Sequence, residues 1–155
     1  MVNIIYIGLL FNYILKDYII DWADDQIVNK GNNEDYIIEL SFSSNKTEKE
    51  ILAMLSNYIT DDYNLTIEFY FSQFNMLIKK GYYNWERVEE EIVKFYKSNF
   101  ITEDTEDLFY SRIIDDYYLR KDGFSGNMNM PKELLQFLSK YSLTDSIYED
   151  LPFSW

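Results

Sequence analysis

The stretch Lys16-Asp17-Tyr18-Ile19-Ile20-Asp21-Trp22-Ala23-Asp24-Asp25-Gln26-Ile27-Val28-Asn29-Lys30, followed by Gly31, decides how the chain folds. Ile19, Trp22, Ala23 and Ile27 recur at the spacing of one helix face. Asp17, Asp21 and Asp25 lie four residues apart and form a stripe on another face, with Asp24 beside it. Like charges at that spacing destabilise a helix by ~0.2–0.5 kcal/mol per pair. A helix that keeps them either tolerates the repulsion on a solvated face or uses the field they create. Lys30 suits the negative pole at the helix end, and Gly31 supplies a left-handed stop.

The same period runs through most of the chain. Residues 3–14 are apolar nearly all round and read as a buried helix. Asp35 to Phe42 is short enough for helix or strand. Helix is preferred, because no second convincing strand exists for it to pair with. Thr47 with Glu50 is a capping-box signature opening a helix that ends near Ile59. Ile67, Tyr70, Phe71, Phe74, Leu77 and Ile78 mark the next helix, closed by Lys79-Lys80-Gly81. Asn84 caps another, with Trp85, Val88, Ile92, Phe95 and Tyr96 inward and Glu90 and Lys94 paired outside. Thr102 caps a helix whose first turn holds Glu103, Asp104, Glu106 and Asp107, acids that suit its positive pole. Its inward rows are Phe109, Ile113, Tyr117 and Tyr110, Ile114, Tyr118. Pro131 opens a last helix bearing Leu134, Phe137, Leu138 and Tyr141. The tail from Ser142 to Trp155 is irregular but apolar enough to dock. The expected fold is all-α, a single compact domain over residues 1–155 with about seven to eight helices.

Composition narrows the chemistry. The 155 residues argue for one domain, and 47% hydrophobic residues suffice for a sizeable core. The 14 basic and 27 acidic residues leave a net charge of −13, unsuited to direct phosphate-backbone binding. An acidic surface instead steers a basic partner or simply keeps the protein soluble. The chain has no cysteine and no histidine, which removes thiolate chemistry and the usual neutral-pH base and metal ligand. The apolar first fifteen residues lack a preceding basic residue and a small-residue cleavage site, and are too short to span a bilayer. A cytoplasmic location is expected.

No catalytic constellation emerges. Glu89-Glu90-Glu91 and Asp115-Asp116 are conceivable magnesium or calcium ligands, but adjacent helix residues point in different directions and no Asp-x-Asp-x-Asp-Gly loop is present. Paired carboxylates for glycoside hydrolysis need a sugar cleft that nothing here marks. Gly123-x-x-Gly126 lacks the Lys-Ser/Thr of a phosphate cradle. No metal site, cofactor or catalytic residue is therefore expected. The abundant tyrosines could anchor an interface, although most aromatics fall on core faces.

Two acidic segments remain. Residues 17–39 hold seven acids against Lys30 alone, and residues 103–122 hold seven against Arg112, Arg120 and Lys121. The candidate partner-binding residues are Asp17, Asp21, Asp24, Asp25, Glu103, Asp104, Asp107 and Asp115.

Two motifs carry a resemblance: Ile20-Asp21-Trp22-Ala23-Asp24-x-x-Ile27, and Tyr118-Leu119-Arg120-x-Asp122-Gly123-x-Ser125-Gly126 running on to Met130-Pro131. With the helical order and the acidity, the chain resembles a family of small acidic helical bacterial proteins of unknown biochemical function. These occur as candidate immunity proteins beside polymorphic or contact-dependent toxins. The resemblance implies a cytoplasmic inhibitor that binds one cognate toxin with a basic surface, often a nuclease, and offers no catalytic residues to carry over. The alternative expectation is an acidic nucleic-acid mimic or anti-defence protein that inhibits a host nucleic-acid-binding enzyme.

Overall fold

A computed structural model describes residues 1–61, 63–98, 100 and 108–141, the side chains of 108–111 excepted. Among the described residues the protein is all-helical, with eight helices and no strand. They are α1 (Val2–Leu10), α2 (Lys16–Lys30), α3 (Asp35–Ser41), α4 (Glu48–Leu55), α5 (Asn64–Lys79), α6 (Trp85–Lys97), α7 (Leu108–Lys121) and α8 (Met130–Leu138). They belong to two compact units, one containing Met1–Asp61 and the other Asp62–Leu143. The ambiguous segment 35–42 is helical. Thr102 and the tail after Tyr141 lie outside the described residues.

In the first unit α2 packs along α3, and α1 along α4. The first helix stops at Leu10, short of the expected Ile14, because Asn12 takes a left-handed φ of 58°. The Tyr13 N–H then closes on the Gly8 carbonyl at 2.7 Å and the Asn12 N–H on Leu9 at 3.1 Å. This pair of bonds satisfies the carbonyls that a helix end leaves open. Buried Asn3 is held from both sides: its Nδ2 donates to the Thr60 carbonyl at 3.0 Å, and its Oδ1 accepts from the Thr60 N–H at 3.0 Å. Gly31 ends α2 as expected, with φ 65°.

The capping box on α4 is complete. Thr47 Oγ1 accepts from the Glu50 N–H at 3.3 Å, and Glu50 Oε2 accepts from the Thr47 N–H at 2.7 Å. That α4 ends at Leu55, earlier than the expected Ile59, follows from a tight turn in which Tyr58 N–H bonds the Leu55 carbonyl at 2.9 Å.

The second unit is organised by the aromatic ridge of α5. Phe69, Tyr70, Phe71 and Phe74 are fully buried. The Phe71 ring lies 6.3 Å from Phe95 of α6, 5.6 Å from Phe137 of α8 and 5.1 Å from Tyr141, mostly edge-on. One side chain thus joins three segments, and edge-to-face geometry adds to area burial. Gly81, at φ 73°, turns the chain out of α5. The Asn84 side chain then accepts from the Arg87 N–H at 2.9 Å and starts α6. Two expected inward aromatics do not go in: Tyr96 and Tyr118 are exposed, Tyr96 at the edge of the α6 face and Tyr118 one turn beyond the buried Ile114.

Truncating Phe71 to Ala is expected to destabilise the protein by about 3–5 kcal/mol, read by chemical denaturation. Thr47→Ala is expected to remove about 1 kcal/mol. The Glu50 carboxyl is held below its ordinary range by the hydrogen bond from the Thr47 N–H and then by the Thr47 hydroxyl. Its stabilisation is therefore complete above the usual carboxylate range and disappears as pH falls through the lowered value. Thr47→Ala should move the Glu50 titration, followed by NMR, upward.

Candidate functional site

The α2 stripe is built by the helix's own period. Ile19, Ile20, Trp22, Ala23 and Gln26 are buried, which turns Asp17, Asp21, Asp24 and Asp25 outward. Gln26 takes the inward place expected for Ile27, which is half-buried, because Gln26 follows Ile19, Trp22 and Ala23 at seven, four and three residues. All four aspartates are exposed, and none has an ion-pair partner among the described residues. Asp25 accepts a hydrogen bond from the Asn29 side chain at 2.7 Å. From Asp17 to Asp25 the helix rises about 12 Å. Tyr18 and Val28, 51% and 77% exposed, stand on the same side. The face therefore offers carboxylates together with apolar area, as interface anchors do.

α3 extends the negative field within the same unit. Glu34, Asp35 and Glu39 are exposed. Tyr58 Oη donates to Glu39 Oε1 at 2.8 Å, and that bond raises the phenol's pKa. Tyr36 is raised well above its ordinary range, first by burial and then by the charge of Glu34.

The other candidates fare differently. Asp115 is exposed on α7, in the second unit. Glu103, Asp104 and Asp107 lie outside the described residues. The structure thus brings four of the eight candidates together, on α2.

A second arrangement of carboxylates was not expected, and it is buried. Glu89, Glu91 and Asp116 are 1%, 0% and 5% exposed. Arg120 bridges two of them: its Nε bonds Asp116 Oδ2 at 2.9 Å and its Nη2 meets Glu89 Oε2. The guanidinium lies over the Trp85 ring, 4.6 Å from its centre. Asp116 Oδ1 also accepts the Asn127 N–H, which anchors the loop after α7. Gly126 is pressed on the Arg120 stem, where a Cβ would run into the arginine's Cγ and Cδ. Gly123 opens that loop at φ 85°. Planar, delocalised Arg suits such a clamp in a way that Lys does not.

Glu91 is met by Arg87 at 2.8 Å and Lys94 at 2.7 Å. This corrects the expected Glu90–Lys94 pair: Lys94 reaches the buried carboxylate three residues back, and Glu90 is left to Arg87 at 3.7 Å. The signal for burial was in the sequence. Glu89 and Glu91 both sit on the apolar face of α6, four from Trp85 and three from Val88 respectively.

Breaking the clamp leaves buried carboxylates uncompensated. Arg120→Met is expected to destabilise the protein by about 3–5 kcal/mol. Gly126→Ala should displace Arg120 and quench less of the Trp85 fluorescence, whereas Gly31→Ala, distant in sequence, should leave that signal unchanged.

No family model, no curated protein and no solved structure matches the chain. Among the described residues no helix is long and apolar enough to cross a membrane.

Proposed function

We propose that this protein acts by binding rather than by catalysis, presenting the α2 face to a basic protein surface, and that its partner is a cognate bacterial toxin which it neutralises. One observation carries the reading: Asp17, Asp21, Asp24 and Asp25 share an exposed face with no ion-pair partner among the described residues. A helix that keeps mutually repelling charges without counter-ions gains nothing in stability from them. It gains a preformed field that speeds encounter with a positive surface. A nuclease cleft, basic because it holds phosphates, is one such surface. The resemblance to immunity proteins, carried in part by Asp21 and Asp24, supports the toxin as partner. Tyr18 and Val28 would supply the apolar contact that charge alone does not.

The test is co-expression with the product of the neighbouring gene. A complex should co-purify, and an excess of this protein should abolish that product's toxicity. Asp21→Lys with Asp25→Lys should slow association by about tenfold or more and flatten its salt dependence. Toxicity that persists in excess, or association kinetics unchanged by the double reversal, would overturn the proposal.

A further inference from the structure

The second unit holds a cavity of about 320 Å³ lined by Glu86, Glu89, Glu90, Tyr117, Arg120 and Lys121. It lies between the first half of α6 and the last turns of α7. Glu89 forms its wall while being 1% exposed. One oxygen of that carboxylate faces Arg120, whereas Oε1 has no hydrogen-bond partner among the described residues. A buried carboxylate oxygen calls for a donor. Arg120 is already engaged by Asp116 and lies over the Trp85 ring.

We propose that this cavity binds a small organic cation carrying an alkylguanidinium or alkylammonium group. Charge sets the sign. Among the described residues three carboxylates line the space, and Lys121 is the one lining cation that Glu89 and Asp116 do not hold. An anion is repelled, and a neutral ligand leaves the excess negative charge of the lining unanswered. A bare metal ion is the wrong shape, since no three acidic side chains among the described residues converge on a point. An N–H-bearing cation reaches further, donating to Glu89 Oε1 at one end and to Glu86 or Glu90 at the rim. Tyr117 offers its ring to the charge, as it already does to Lys121 Nζ at 5.8 Å. The volume sits at the small end of ligand sites, which fits a short-chain amine or guanidine.

Agmatine is the probe, titrated into the full chain at neutral pH and low salt by NMR and calorimetry. Saturable binding with a Kd of about 1 mM or tighter is expected, with shifts at Tyr117 and at the Trp85 indole. Lys121→Ala removes a like charge and should tighten binding several-fold. Glu90→Gln should weaken it, and Glu89→Gln should weaken it by about tenfold or more. Lys121 and Glu90 are exposed, so those two variants decide the matter even if Glu89→Gln fails to fold. No saturable binding at about 10 mM, equal binding of glutamate, or affinities unmoved by Lys121→Ala and Glu90→Gln would each overturn the proposal.

Discussion

Fourteen cations must serve 27 carboxylates, and the fold depends on where those cations go. A buried carboxylate without compensation is far more destabilising than an exposed one. The arginines answer that need. Arg87 meets Glu91, Arg112 meets Glu133 at 2.8 Å, and Arg120 holds Glu89 and Asp116 together. All three arginines of the chain lie in the second unit, so none is available to α2 within its own unit. The uneven division leaves four aspartates of α2 facing water. Structural charge is compensated and inward, and the remaining charge is outward and concentrated.

This division changes what the second motif means. Arg120, Gly123, Gly126 and the step to Met130-Pro131 do not form a phosphate loop. Arg120 is the clamp, Gly123 turns the chain back, Gly126 lets the backbone pass over the arginine stem, and Pro131 begins α8. Asp116 joins clamp and loop through the Asn127 N–H. Each residue has a mechanical reason to be there. In the first motif Ile20, Trp22 and Ala23 are buried, whereas Asp21 and Asp24 face outward. The proposed partner face therefore draws on the first motif, whereas the second is accounted for by the clamp and its loop.

Helix identity was legible because apolar residues recur at 3.6 over long stretches, and most boundaries were written as glycines or caps: Gly31 and Gly81 at ends, Thr47 with Glu50, Asn84 and Pro131 at starts. The early end of α1 was harder to read, since Asn12 takes on the work of a glycine and its neighbours are apolar either way. The α2 stripe was legible from spacing alone. The buried clamp was not. The places of Glu89 and Glu91 on the apolar face of α6 point to burial, but the partner does not show: Arg120, which meets Glu89, lies thirty-one positions away. Pairings between helices are not written in the period of either helix.

The division of charge is tested most directly by neutralising one carboxylate from each set and measuring unfolding free energy in denaturant at neutral pH. Asp21→Asn relieves repulsion with both Asp17 and Asp25 and should leave stability unchanged or raise it by up to ~1 kcal/mol. Asp116→Asn weakens a buried charge-assisted bond to Arg120 and should lower stability by about 1.5–3 kcal/mol. If Asp21→Asn is as damaging as Asp116→Asn, the α2 charges belong to the scaffold and are not a surface held ready for a partner.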